Sequence, residues 1–407
     1  MNFWLSYRRV LAVTAVAVFF TATCDYLFAA GFISAPPLYW ILAFTALAQP
    51  LVFTSQTVSG VLKSPVTPWC GFYAALTVLA FMWSSQSAIA WGQLRVRILA
   101  VLFIGSLLFV FSDSRVHRAV RIALFCSALL GVVLNVVDLA RPLSFSPILG
   151  RAAGLYLNPN TSAIALVLGM IMSVELLPHA FRPWFVSLVG AGVLLTFSRG
   201  GAAAWLVATS LLIWLRTVRL VPLLRVVVTS ALVVGGVLLI SGWWQAAWQM
   251  ASVASSEPLG RLRLETEIVD ASADVRLGAA RLSWQMFLDS PVHGWGPGAT
   301  LEWDWSDATH NIYLRDLAEY GFAGLAIVPL LVLALLRRGA ATRAPAAVWL
   351  ASVTLLWGVF SHNLLDERHF LICFALVGTL SGGGREGEAV APVQPAIAFP
   401  LVPRAYL

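Results

Sequence analysis

The sequence predicts an all-α polytopic membrane protein of about twelve transmembrane helices with one large loop outside the bilayer. Two observations carry this. Hydrophobic residues make up 59% of the 407 positions and charged residues only 11%, with a mean hydropathy of +0.84, whereas soluble domains carry about 25% charged residues. The apolar runs are also long enough for helices rather than for barrel strands. The first run lacks a small-residue cleavage pattern and many spans follow it, so it is expected to remain as a helix rather than to act as a signal peptide.

The first three spans are expected at about 10–31, 38–59 and 67–84, followed by a polar gap, SSQSAIAWGQ. The next two are expected at about 98–111 and 119–139. The stretch ARPLSFSPILGRAAGLYLNPN has too many Pro, Gly and Asn residues for a plain helix. Spans six to nine are expected at about 161–177, 185–197, 202–215 and 221–243. The last three are expected at about 311–336, 346–360 and 370–380. The resulting organisation is nine spans over 1–244, an outside loop over 245–309, three spans over 310–380, and a flexible tail over 381–407.

Basic residues orient this bundle. Arg8, Arg9, Lys63, Arg115, Arg118, Arg121, Arg182, Arg216, Arg219, Arg225, Arg337, Arg338, Arg343 and Arg385 all fall on one side. That is the cytoplasmic signature, and it puts both termini in the cytoplasm and the loop outside, in the periplasm of a Gram-negative cell. The net charge of +7 rests almost wholly on arginine, with Lys63 the only lysine, and no continuous basic domain suits a nucleic acid. Cys24, Cys70, Cys126 and Cys373 lie in or beside apolar segments with neither metal spacing nor a disulfide pattern.

The exceptions to the charge rule point to chemistry. Arg95, Arg97, Arg141, Arg151, Arg199, Arg261, Arg263, Arg276, Arg281 and Arg368 fall outside, and Arg315 lies just within span ten. An outside anion is the simplest common partner; snorkelling or a local salt bridge is the alternative for each one. Trp243, Trp244, Trp248, Trp303 and Trp305 read as an interfacial belt, with sugar stacking as the other option.

Four polar clusters stand at outer ends of spans. The first joins Arg151 and Gly154 to Asn158-Pro159-Asn160, and the second is Thr196 to Gly201, TFSRGG, where an arginine at a helix end suits bidentate phosphate binding. The third is Pro291 to Gly321. Before it, Val275, Ala279, Leu282 and Met286 recur at helical spacing after Ser272 or Asp274 as cap, giving an amphipathic helix with Arg276 off its apolar stripe. The glycines of HGWGPG then bring backbone N–H groups near a bound group. Ser306 or Asp307 is expected to cap span ten, with His310 in its first turn, where it is either a neutral imidazole able to accept a proton or only a helix-end polar residue. Glu302, Asp304 and Asp307 read as a capping loop rather than a metal site. The fourth cluster, His362-Asn363 with Asp366, Glu367 and Arg368, either orients the site or forms a salt-bridged turn.

Together these clusters resemble the O-antigen ligase and O-antigen polymerase superfamily. The matching residues are Arg151-x-x-Gly154 before Asn158-Pro159-Asn160, TFSRGG, Arg276 ahead of Pro291, the GWGPG turn, His310-Asn311 before Tyr313-Leu314, and Glu319-Tyr320-Gly321. The resemblance implies a GT-C-type glycosyltransferase of the bacterial inner membrane, closest to the ligases. Its donor would be an undecaprenyl-diphosphate-linked glycan and its acceptor a lipid A-core sugar on the periplasmic face. Arg276, Arg199 and Arg151 would hold the diphosphate, His310 would be the general base of an inverting transfer, and Asn311 and Asn158 would position ligands or His310. No metal or cofactor is expected, since arginines neutralise the diphosphate. An O-antigen polymerase is the alternative, and a lipid-linked oligosaccharide transporter a further one, although the polar clusters gather on one face and no internal repeat is evident.

Overall fold

A computed structural model describes residues 3–53, 55–240, 266–303 and 309–380. Trp243, Trp244, Trp248, Arg261, Arg263, Asp304, Trp305, Ser306, Asp307 and the 381–407 tail lie outside the described residues. Helices and turns make up everything described, without a strand. They are α1 (Phe3–Ala15), α2 (Thr23–Ala29), α3 (Pro37–Ala48), α4 (Ser55–Leu62), α5 (Val66–Phe81), α6 (Ala88–Phe111), α7 (Ser114–Ala140) and α8 (Pro159–Ser173). The chain continues through α9 (Arg182–Leu194), α10 (Arg199–Trp214), α11 (Leu220–Ile240), α12 (Thr266–Asp289), α13 (Ile312–Tyr320), α14 (Gly324–Thr342), α15 (Pro345–Phe360) and α16 (Arg368–Thr379).

Five segments are long and apolar enough to cross a membrane: Phe3–Phe20, Ala88–Phe111, Ser114–Ala140, Pro159–Leu176 and Ile312–Thr342. Shorter apolar helices, among them Val66–Phe81, Pro345–Phe360 and Arg368–Thr379, pack between them. This is a multi-pass membrane protein. Its centre is α8, in which every side chain from Ser162 to Ser173 is buried. It packs on α7, α9 and α10. A Cβ at Gly201 of α10 would stand 2.3 Å from that of Ala163, so the missing side chain lets α10 approach α8 closely. Lipid tails are as apolar as the helices, so such backbone approach and dispersion contact stabilise helix pairs here.

Several boundaries differ from the hydropathy reading because capping groups and polar residues extend the helices. The first span begins at Phe3 rather than near Val10. Arg8 is buried and satisfied, donating to the Phe109 carbonyl at 2.5 Å and to Ser112 Oγ at 2.7 Å. The expected polar gap 84–93 is mostly helix, because Ser87 caps α6 by accepting from the Ala90 N–H at 3.0 Å. Asp113 caps α7 in the same way, accepting from the Arg115 N–H at 3.0 Å. The amphipathic helix α12 already runs from Thr266, so Ser272 and Asp274 lie within it rather than at its cap.

The expected tenth span is two helices. α13 ends at Tyr320, a 3₁₀ turn covers Gly321–Ala323, and α14 resumes at Gly324. Two carbonyls left open near the break, those of Ala318 and Glu319, accept from the N–H groups of Trp295 at 3.0 Å and Gly296 at 2.9 Å. The Glu319 carboxylate accepts from the Gly298 N–H at 3.1 Å and from Thr300 Oγ1 at 2.9 Å. The glycine turn therefore spends the N–H groups of Trp295, Gly296 and Gly298 on α13 and that of Gly294 on the Ser290 carbonyl rather than on a ligand, a correction to the sequence expectation. Gly294 has φ +68°, and a Cβ there would stand 2.4 Å from the Glu319 carbonyl carbon. Gly294→Ala is expected to lower stability by at least about 2 kcal/mol through left-handed strain and collision. A thermal melt of the detergent-solubilised protein checks this.

Candidate active site

Among the arginines that defy the charge rule, two groups stand out. Those inside the bundle have carboxylate partners from distant parts of the chain. Arg97 of α6 pairs with Glu319 and donates to the Tyr320 hydroxyl, and both charged side chains are 1% exposed. Arg315 pairs with Asp316 at 2.8 Å and Asp366 at 3.4 Å, and donates to the His362 carbonyl at 2.5 Å. Arg368 pairs with Asp25 at 2.5 Å. For these three an outside anion is not the partner. Arg95, exposed, folds back onto the Trp91 carbonyl of its own helix at 3.2 Å.

The second group faces a cavity. Arg151 lies in the loop before α8 and is mostly buried. Its Nε donates to the Thr196 carbonyl at 3.0 Å and its Nη2 to Asn160 Oδ1 at 3.1 Å. It thereby ties the start of α8 to the end of α9. Arg199 opens α10 directly after its cap Ser198, whose Oγ accepts from the Gly201 N–H at 3.1 Å, and the arginine is exposed. Arg276 is exposed on α12. These three guanidinium groups come from three separate elements and line one cavity of about 310 Å³ with Asn160, Ser198 and Phe360. No carboxylate is among the described residues lining it. The α10 N-terminus also opens onto it, and a helix N-terminus favours anions.

His310 is pinned from both sides. Thr309 is buried and bonds the Ser283 hydroxyl and the Ala279 carbonyl of α12, the latter at 3.2 Å. Asn311 caps α13, its Oδ1 accepting from the N–H groups of Tyr313 at 2.9 Å and Leu314 at 3.1 Å. The cap is therefore Asn311, and His310 stands just before the helix rather than in its first turn. The helix that carries Arg276 thus also anchors the residue preceding His310. The buried face of α12 includes Ala279, Ser283 and Phe287; a polar Ser283 on it hid this anchor from the apolar pattern.

The His310 ring meets that of His362 edge to face, with centroids 5.8 Å apart. His362 follows Phe360 by two residues, so His310 adjoins the cavity wall through this turn without lining the cavity itself. The turn is salt-bridged, as one reading of the sequence had it, and it also sets His362 against His310. Burial raises the Asp366 carboxyl above its ordinary range and the nearby Arg315 opposes that shift. Asn158 is exposed and caps α8, accepting from the Asn160 N–H at 2.8 Å. The residue that reaches the cavity is Asn160, which sequence reasoning quoted only as part of the motif. No group of His, Cys, Asp and Glu able to hold a metal occurs among the described residues.

Residues 184–329 match the family model described as O-antigen ligase. That part of the chain is similar to the O-antigen ligase family. A comparison with curated proteins finds no match. The matched segment runs from α9 into α14 and contains Arg199, Arg276, His310 and Asn311. Arg151, Asn158 and the His362 turn lie outside the O-antigen ligase segment and join it through the contacts above. The match supports an enzyme of ligase or polymerase type acting among lipid-linked glycans and membrane lipids.

Proposed function

We propose that the protein is an O-antigen ligase, a GT-C-type glycosyltransferase of the bacterial inner membrane with about twelve spans. It moves a glycan from undecaprenyl diphosphate to a hydroxyl of a lipid A-core sugar on the periplasmic face. The observation that carries this reading is the meeting of Arg151, Arg199 and Arg276 around one cavity whose described lining holds no carboxylate, beside the His310–His362 contact.

In this reading the guanidinium groups bind the diphosphate, with Arg199 and Arg276 able to form bidentate pairs and Arg151 held in place by Thr196 and Asn160. The acceptor oxygen attacks the anomeric carbon as the bond to the diphosphate oxygen breaks. Undecaprenyl diphosphate leaves with the bonding pair, and the arginines stabilise the charge that develops on it. His310 takes the acceptor proton, and attack from the face opposite the leaving group inverts the anomeric configuration. Asn311 fixes His310 by capping α13, and Asn158 fixes Asn160 by capping α8. Holding two lipid-anchored substrates in register supplies further acceleration.

Arg199→Ala and Arg276→Ala are each expected to lower turnover about 10²–10³-fold, the cost of removing one donor aimed at developing charge. Arg276→Lys keeps charge without the planar fork and is expected to fall between the parent protein and Arg276→Ala. Glycan transfer by purified protein measures this; normal turnover in Arg276→Ala would remove that residue from the site. A deletion strain separates ligase from polymerase. Loss of a ligase leaves bare core with full-length polymer on the lipid carrier, while loss of a polymerase leaves core capped by one repeat.

A further inference from the structure

The same end of the bundle holds a second cavity of about 470 Å³ that no step above uses. It differs from the first in holding carboxylates. Asp25, Asp366 and Glu367 line it together with His369 and the uncharged polar residues Gln93, Thr161 and Asn363; Asp366 is paired with Arg315 at 3.4 Å and Glu367 with His369 at 2.8 Å. Its guanidinium, that of Arg368, is already paired with Asp25 at 2.5 Å. A diphosphate finds carboxylates there that are already paired with an arginine or a histidine, whereas the described residues of the first cavity supply three arginines and no carboxylate.

The two cavities share two walls. In the first turn of α8, Asn160 lines the cationic cavity and the next residue, Thr161, lines the acidic one. In the turn after α15, Phe360 lines the cationic cavity and Asn363 the acidic one. His362 stands between those two residues with its ring against His310. The candidate base thus touches the segment that runs from the wall of the anion cavity to the wall of the carboxylate–amide cavity, although neither His310 nor His362 is among the described residues lining them. Amides and carboxylates offer donors and acceptors that suit neighbouring sugar hydroxyls. The Tyr156 ring, also in the lining, offers an apolar surface. The volume falls in the range of small-ligand sites.

We propose that this second cavity is the acceptor subsite, which binds an uncharged, hydroxyl-bearing sugar and presents one hydroxyl to His310 from the side opposite the diphosphate. The proposal rests on the transfer reading above and adds to it which substrate goes where. Inverting attack requires nucleophile and leaving group on opposite faces, and in this proposal separate cavities hold the two substrates.

The test uses the full-length protein in lipid nanodiscs, a lipid-diphosphate-linked glycan and a lipid A-core acceptor. Asn363→Ala and Gln93→Ala remove single polar groups from the lining. Each is expected to raise the apparent KM for the acceptor about fivefold to tenfold, the effect of one or two lost hydrogen bonds, with donor KM changed less than about twofold. Arg276→Ala is expected to show the reverse split. Unchanged acceptor KM in both lining variants, or an equal rise in donor KM, would overturn the subsite. Binding of a dephosphorylated core oligosaccharide, measured by calorimetry, separates the subsite from the transfer reading. If the unaltered protein transfers no glycan, the functional reading falls, while weaker oligosaccharide binding in Asn363→Ala but not in Arg276→Ala upholds the cavity as a saccharide site. Displacement of the oligosaccharide by inorganic pyrophosphate would contradict it, because that outcome makes the cavity an anion site.

Discussion

His310→Ala is expected to lower glycan transfer by about 10²–10⁴-fold, the usual contribution of a positioned general base, while donor binding stays intact. The expectation follows from how the residue is held. Thr309 fastens the chain to α12, and Asn311 caps α13 with two N–H contacts. Neither depends on the imidazole. Removing the ring therefore leaves the backbone path in place, and the loss falls on proton transfer rather than on folding. Initial rates with separate titration of donor and acceptor check this. Full-rate transfer by His310→Ala would remove the residue from catalysis. A fall in donor affinity matching the fall in rate would make its role one of donor binding.

The largest stability effect is expected from Arg97→Met. Arg97 and Glu319 are both almost wholly buried, and their chain positions are far apart, on α6 and α13. Losing one partner of a buried ion pair leaves an uncompensated charge and costs about 3–5 kcal/mol. Glu319 also accepts from the Gly298 N–H and Thr300 Oγ1, so its displacement loosens the glycine turn and the approach to His310. The double variant Arg97→Met with Glu319→Met removes both charges and is expected to recover much of the loss, as apolar replacement of buried pairs often does. Thermal unfolding in nanodiscs measures both. A single variant within about 1 kcal/mol of the parent would contradict a structural role for the pair.

Much of the site was legible because its residues signal themselves locally. An arginine on the wrong side of an apolar span is costly and conspicuous, and Arg151, Arg199 and Arg276 were among the eleven that stood out on that ground; the family resemblance selected these three, and they line one cavity. His310-Asn311 stood out as a polar pair at the mouth of an apolar run. The partners of Arg97, Arg315 and Arg368 were not legible, because pairing depends on contacts between elements far apart in the chain and sequence spacing carries no record of them. The break at Gly321 was hidden for a related reason. Hydropathy continues smoothly through it, and only the docking of the Pro291–Gly296 turn on α13 shows where the helix ends, with the Phe322 N–H donating to the Pro291 carbonyl at 2.8 Å. The start of α1 was missed because Arg8 looked like a flanking charge, whereas carbonyl and hydroxyl acceptors at the end of α6 allow it to be buried.

The most direct test of the account is the stereochemistry of transfer by the purified protein. A lipid-diphosphate-linked glycan of known anomeric configuration and a lipid A-core acceptor, with no other protein present, suffice. NMR of the new glycosidic bond is predicted to show product with the opposite configuration, formed in one displacement with His310 as base. Product of retained configuration, or no transfer when both substrates are bound, would contradict it.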